Sequence, residues 1–252
     1  MKRFLNAIYH RICIPIKEKK YKKLKYILEK SRKSRTLIIS FSGFPGKQKA
    51  KYNYMRTLNK IDAYKLFLLD DFGYKKRGSY YLGEDGDWFL PQQIGELVTA
   101  IREKYNIEHV VTIGSSKGGT AALYYSIKLH ADFCVIGAPQ FYLGDYLNTE
   151  KHADILEGIM GNKNAETIAQ LNSVMIDCIQ MCGSNKPEVY IHYSPCEHTY
   201  KEHIADMLAM LKKHGFCVWE NSNYEYANHA DVAKYFPAYM ISVLKNQTRE
   251  EQ

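Results

Sequence analysis

From Thr36 onward the chain alternates short apolar runs with longer segments whose apolar residues recur every three or four positions. The runs at 36–42, 64–69, 109–113, 133–136, 189–193 and 216–219 are rich in β-branched and aromatic residues and bounded by turn residues, which predicts strands. Segments 91–105, 117–130, 200–214 and 231–244 carry the helical period. Strands alternating with helices make βαβ units. The predicted class is therefore α/β, a mostly parallel sheet with helices on both faces, whose ligands bind beyond the carboxyl ends of the strands. After the fourth strand the alternation is interrupted at about 140–187, with helical stretches near 145–160 and 164–181. An insertion at that place lies over the ligand-binding edge as a lid. Residues 36–246 thus read as one α/β domain.

The first 35 residues follow a different pattern. Phe4, Leu5, Ile8, Tyr9 and Ile12 fall on one helical face, with Lys2, Arg3, Asn6 and Arg11 opposite, and Pro15 ends the helix. A second basic stretch, 17–35, has Tyr21, Leu24, Ile27 and Leu28 as its apolar positions. Residues 1–36 hold 13 of the 35 Lys and Arg but two of the 27 Asp and Glu, so the net charge of +8 belongs to this arm and the body is mildly acidic. A body of that balance is not a nucleic-acid binder by charge. A basic amphipathic arm at 1–35 is expected to lie on an anionic membrane surface or to dock a polyanionic partner. No apolar run approaches the roughly 18 residues of a membrane span, and the N-terminal apolar stretch breaks before a signal-peptide core accumulates. Six scattered cysteines without CxxC pairs fit reduced thiols. The expected location is cytoplasmic, peripheral on the inner face of the membrane.

The chemistry concentrates at Gly114-Ser115-Ser116-Lys117-Gly118, a G-x-S-x-G sequence between a predicted strand and a predicted helix. That context suits a nucleophile elbow, in which Ser116 stands clear of the backbone and the Lys117 N–H faces a developing oxyanion. A glycine-rich phosphate cradle at a helix N-terminus uses similar residues, although the Walker order is absent because Lys117 precedes Gly118-Gly119-Thr120. A serine hydroxyl needs a base, oriented by an acid. In the chain order expected of such folds, Glu197 follows the fifth predicted strand and His229 the sixth. His198, Glu202 and Asp206 are the competing residues, and Asp231 is read as the cap of the last helix. A second oxyanion donor is expected in the loop after the first predicted strand, from the N–H of Ser42, Gly43 or Phe44. No H-E-x-x-H spacing accompanies Glu197, His198, Glu202 and His203, and no metal is predicted.

Several stretches together resemble a known group: Ile39-Ser40-Phe41-Ser42-Gly43-Phe44-Pro45 with Lys51-Tyr52-Asn53-Tyr54, Gly78-Ser79-Tyr80-Tyr81, Gly114-Ser115-Ser116-Lys117-Gly118-Gly119, Ala138-Pro139-Gln140 with Asp145-Tyr146, and His229 followed by Tyr235-Phe236. The chain resembles the α/β-hydrolase-type capsular polysaccharide O-acetyltransferases of bacteria, the XcbB/CpsF-like group, and more remotely the accessory-secretion proteins that O-acetylate adhesin glycans. The resemblance implies Ser116 as the acylated nucleophile, His229 as the base, acetyl-CoA as the donor with no permanently bound cofactor, and a sugar hydroxyl of a capsular polysaccharide as the acceptor. The family's acid falls in the loop of Glu197, where a member can carry aspartate, and the basic arm is not part of the common pattern. The residues by themselves fit a serine esterase or glycan deacetylase equally, and a non-catalytic component of a capsule or secretion complex is the reading from another class. Asp71, Tyr80, Tyr81, Gln140 and Asp145 are candidates for an acceptor site.

Overall fold

All six apolar runs form strands, and two more come from the lysine-rich segment ahead of them. A computed structural model describes residues 14–45 and 50–247. In chain order the strands are β1 (Lys19–Tyr21), β2 (Leu24–Glu29), β3 (Thr36–Ser40), β4 (Tyr64–Leu69), β5 (His109–Ser115), β6 (Phe133–Gly137), β7 (Glu188–Tyr193) and β8 (Val218–Ser222). They lie side by side as β1-β2-β4-β3-β5-β6-β7-β8 in one sheet. From β4 to β8 every neighbouring pair is parallel, while β1 and β2 pair antiparallel and β2 runs antiparallel to β4. β3 is buried at every position, and β4 to β7 at every position but the first, as in a parallel sheet covered on both faces. The edge strand β8 is largely exposed.

The helices are α1 (Ile14–Lys17), α2 (Leu90–Tyr105), α3 (Lys117–Lys128), α4 (Leu143–Leu147), α5 (Ala153–Met160), α6 (Ala165–Gln180), α7 (Ala205–Lys213) and α8 (Val232–Gln247). The predicted helix 200–214 opens with a single π turn, Tyr200–Ile204, before α7 begins. The insertion between β6 and β7 holds three helices, α4 to α6, where the sequence pattern shows two. Leu143, Leu147, Ile155, Leu156, Ile159 and Leu171 build a hydrophobic cluster there, joined by Tyr80 and Leu82 from the connection after β4. Met175, Cys178 and Ile179 of α6 enter the main core instead, which ties the insertion to the sheet.

Residues 1–13, and with them the first amphipathic helix of the predicted arm, lie outside the described residues. Residues 19–29 depart from the arm expectation, because they are strands of the sheet. Leu24 and Ile27 are fully buried against it, worth about 1.5–3 kcal/mol each. Three of the lysines in this segment meet carboxylates of their own chain: Lys25 Nζ lies 2.6 Å from Asp71 Oδ2 and Lys17 Nζ 3.3 Å from Glu29 Oε1, and Lys22 pairs with Glu96. Among the described residues no helix is long and apolar enough to cross a membrane.

After β3 the chain adds β4 on one side, then returns to place β5 on the other. The crevice where that winding reverses is the ligand-binding position of open α/β sheets. It lies between the loop leaving β3, residues 41–45, and the turn leaving β5.

Candidate active site

Ser116 occupies the sharp turn between β5 and α3, with φ +53° and ψ −128°. Such a conformation is strained by about 1–3 kcal/mol in a residue bearing a Cβ, and close packing around the turn holds it. A Cβ on Gly114 would stand 2.1 Å from the Gly118 carbonyl oxygen, and one on Gly118 would stand 2.5 Å from that of Phe41. The two glycines therefore let the elbow fold over and press α3 against the loop leaving β3. Ser116 N–H donates to Gly137 O at 2.7 Å, which anchors the elbow to β6. The adjacent Ser115 is buried and engaged elsewhere, its Oγ 2.6 Å from the Tyr54 hydroxyl. Burial pushes the Tyr54 phenol up to about 12.

His229 lies in a single 3-10 turn, His229–Asp231, ahead of α8. Asn228 Oδ1 caps that turn by accepting from Ala230 N–H at 3.0 Å, one turn before the Asp231 cap read from sequence. The structure brings His229 and Ser116 together, with Nε2 2.8 Å from Oγ. Nδ1 is hydrogen-bonded to Glu197 Oε1, whose side chain is fully buried. A carboxylate only accepts, so Nδ1 carries the proton and Nε2 offers its lone pair to the Ser116 hydroxyl. Thr199 Oγ1 donates to the same Glu197 oxygen at 2.5 Å. Ser194 Oγ donates to the Tyr226 carbonyl and so ties the loop after β7, which carries Glu197, to the loop that carries His229. The competitors of the sequence reading fall elsewhere: His198 pairs with Glu202 at 3.9 Å on the surface, and Asp206 Oδ2 accepts from the Tyr142 hydroxyl at 3.0 Å.

No protein-family model and no curated protein matches the chain. Solved structures do. A structure of the capsule O-acetyltransferase of Neisseria meningitidis serogroup A aligns with a TM-score of 0.76 at 20% identity, over 90% of this chain and 94% of that one, and is a histidine-to-alanine mutant in complex with CoA. The glycosylation-associated protein complex of Streptococcus agalactiae aligns with a TM-score of 0.71 at 18% identity, over 88% of this chain and 44% of that chain. FphF, a fluorophosphonate-binding serine hydrolase of Staphylococcus aureus, gives 0.62 at 13% identity, over 88% of this chain and 91% of that one. The fold is that of the α/β hydrolases.

In an α/β hydrolase the oxyanion donors come from the residue after the nucleophile and from the loop after a neighbouring strand. The N–H groups of Lys117, Gly43 and Phe44 have no hydrogen-bond partner among the described residues. Ser42 is different and drops out of the predicted set. Its N–H donates to the Tyr81 hydroxyl at 2.7 Å and its Oγ lies 2.8 Å from the same atom, while that hydroxyl donates to Leu68 O at 3.0 Å. Sequence cannot reveal a tyrosine arriving from 39 residues away to occupy one of three consecutive amides.

The Lys117 side chain points away from the elbow into the interior. Its Nζ lies 2.5 Å from Asp70 Oδ2, both side chains are fully buried, and the ammonium sits over the Tyr81 ring, 4.7 Å from the centroid. Burial pulls the Lys117 pKa below the ordinary lysine range, and the Asp70 carboxylate opposes that shift. Asp70 also accepts from Ser79 N–H at 2.9 Å and Tyr81 N–H at 3.2 Å.

Gln140, an acceptor-site candidate from sequence, meets the nucleophile itself, a contact the sequence did not reveal. It is fully buried. Its Nε2 lies 3.2 Å from Ser116 Oγ and its Oε1 accepts from the Tyr80 hydroxyl at 3.2 Å. Its backbone N–H and carbonyl both meet Thr120 Oγ1 at 2.9 Å, so the whole residue is pinned to α3. The available signal was a polar residue just beyond the apolar run of β6, the strand beside the nucleophile strand. Of the other acceptor-site candidates, Tyr81 is taken up with Ser42 and Leu68 and Asp71 with Lys25, while Asp145 lines a cavity beside His229.

Proposed function

We propose that this chain is a serine-type O-acetyltransferase that moves acetyl from acetyl-CoA to a sugar hydroxyl of a bacterial capsular polysaccharide. The observation that carries the reading is the Ser116–His229–Glu197 chain of hydrogen bonds at a strained elbow. The fold it sits on is shared with a capsule O-acetyltransferase of which one structure holds CoA. Ser116 Oγ attacks the thioester carbonyl as His229 Nε2 takes its proton. Glu197 holds the imidazole and balances its charge, and the N–H of Lys117 with that of Gly43 or Phe44 binds the oxyanion. The C–S bond breaks, CoA leaves with the proton from His229, and acetyl-Ser116 remains. The sugar hydroxyl then gives its proton to His229 and attacks the ester, and Ser116 leaves and recovers that proton. The insertion carrying α4 to α6 covers the site and keeps water from taking the acceptor's place.

The same triad serves an esterase or a glycan deacetylase, so the test follows the acetyl group. Purified protein given acetyl-CoA with unacetylated capsule polysaccharides is expected to release CoA in step with acetyl appearing on one polymer. CoA release with free acetate under every condition would make the chain a hydrolase.

Gln140 orients the nucleophile in this reading. Gln140→Leu removes one hydrogen bond to Ser116 Oγ, worth about 1–3 kcal/mol, and is expected to slow acetylation of Ser116 about 10- to 100-fold. Single-turnover measurement of CoA release checks this.

Contact with an anionic membrane surface falls, in this reading, mainly to the apolar and basic pattern of residues 1–13, since of the rest of the 1–35 segment Lys17, Lys22 and Lys25 already face carboxylates. Cosedimentation with phosphatidylglycerol vesicles is expected to be lost on deleting residues 1–13 and retained in Lys22→Gln/Lys25→Gln.

A further inference from the structure

The acid of the triad has a second oxygen. Glu197 Oε1 takes both the Nδ1–H of His229 and the hydroxyl of Thr199, whereas Oε2 is buried and has no hydrogen-bond partner among the described residues. A buried carboxylate oxygen is costly without a donor. The need is greater in a carboxylate that must stay charged and fixed while an imidazolium forms and disappears beside it in each half-reaction.

Two more such atoms belong to residues that the triad does not use. His192 Nε2 and the Tyr226 hydroxyl are also buried and without a hydrogen-bond partner among the described residues. His192 is on β7, opposite Asn221 of β8, and is 2% exposed. The Tyr226 ring stacks on it at 5.9 Å between ring centres, and Tyr239 of α8 packs against it at 5.7 Å. Glu197 is in the loop that leaves β7, and Ser194 ties that loop to the Tyr226 carbonyl. The charge of Glu197 reaches both residues. Burial pulls the His192 pKa below the ordinary histidine range, opposed by the Asn221 bond and by Glu197, while burial pushes the Tyr226 phenol up and Glu197 adds to that rise.

Counting protons decides what can join the three atoms. Asn221 Oδ1 only accepts, so its 2.6 Å bond to His192 Nδ1 puts the ring's proton on Nδ1 and leaves Nε2 with a lone pair. Burial favours that neutral ring. Glu197 Oε2 and His192 Nε2 are then both acceptors and cannot satisfy each other, and Tyr226 has a single proton to give. One water satisfies all of them, donating to each acceptor and accepting the Tyr226 O–H. About three hydrogen bonds to otherwise unpaired groups is the usual complement of a buried water. We propose that His192 and Tyr226 hold a water against Glu197 Oε2, which makes both of them positioning residues for the acid of the triad. The positioning role rests on the reading of Ser116, His229 and Glu197 as that triad.

Three variants separate the network from the packing. Tyr226→Phe keeps the stacked ring and removes its proton. His192→Asn can still donate to Asn221 Oδ1 but has no atom in place of Nε2, whereas His192→Gln brings an amide oxygen to the Nε2 position and gives up the Asn221 bond. The rate at which a fluorophosphonate labels Ser116 reports on the triad and needs neither acetyl-CoA nor glycan. It is expected to fall about fivefold to tenfold in Tyr226→Phe and in His192→Asn, the size of one hydrogen bond, and to return to within about threefold of wild type in His192→Gln. An unchanged rate in Tyr226→Phe, or equal losses in the two His192 variants, would overturn the positioning role. Thermal melting shows that each variant is folded. A crystal structure of the wild-type protein is expected to show the water bonded to Glu197 Oε2, His192 Nε2 and the Tyr226 hydroxyl, and a protein donor on Oε2 in its place would overturn the assignment. Failure of the acetyl-transfer reading shows separately, as a Ser116 that takes the phosphonate but forms no acetyl-Ser116 from acetyl-CoA by mass spectrometry.

Discussion

Replacing Ser116 with alanine is expected to abolish acetyl transfer, a fall of about 10⁶-fold in kcat. The size follows from what is lost. Oγ forms the bond to the acetyl group in one half-reaction and is the leaving atom in the other, and no neighbouring group can replace it. Ser115 is the nearest hydroxyl in sequence, but it is buried and bonded to Tyr54 at 2.6 Å. Ser115→Ala is accordingly expected to lower kcat less than about tenfold, of the order of one hydrogen bond. The pair of variants, assayed for CoA release and for acetyl on the glycan, distinguishes two serines that differ by one position in the same motif. Unchanged activity in a folded Ser116→Ala protein would remove the serine mechanism, whereas absence of activity in wild type and variant alike would favour a non-catalytic partner. The melting temperature should hardly move, because alanine keeps the Cβ that the packed turn already accommodates.

The parts of this site that could be read from sequence are those where local chemistry and chain order coincide. Gly114 and Gly118 flank Ser116 because a side chain at either place would collide with backbone, and a constraint of that kind is written in the residues themselves. Glu197 and His229 could be located because each directly follows a strand of a parallel sheet, and such strands deliver their ends to one edge. Ser42, Gln140 and Asp70 depend on partners brought in from elsewhere: Tyr81 for Ser42, Tyr80 and Ser116 for Gln140, Lys117 for Asp70. Their roles follow from tertiary proximity, on which periodicity is silent. The hairpin of β1 and β2 was hidden for another reason. Tyr21, Leu24, Ile27 and Leu28 have a spacing closer to a helix than to an alternating strand, and the observed burial of β2 does not alternate either. Pairing with β4 decides the structure there, and composition points the wrong way.

Asp70→Asn is expected to destabilise the fold by about 3–5 kcal/mol, the loss that follows when one partner of a buried ion pair is removed. For a domain of this size that is a fall in melting temperature of about 6–20 °C. The two halves of the pair are not equivalent. Without Lys117, Asp70 keeps the N–H groups of Ser79 and Tyr81 and the Ser79 hydroxyl at 3.2 Å. Without Asp70, Lys117 keeps, among the described residues, only the Tyr81 and Phe44 ring faces, at 4.7 and 5.7 Å. Lys117→Met should therefore be the milder single change, and the double variant Asp70→Leu/Lys117→Met should lie above Asp70→Asn, because a buried hydrophobic pair of similar volume avoids the desolvation of both charges. Equal losses in the two single variants would contradict the asymmetry. The consequence reaches the chemistry, since Lys117 is the residue whose backbone N–H faces the oxyanion in the proposed mechanism and whose side chain is anchored by Asp70. At a temperature where Asp70→Asn is still folded, kcat should fall while the KM for acetyl-CoA changes less, because a displaced elbow weakens contacts made in the transition state more than those made in binding.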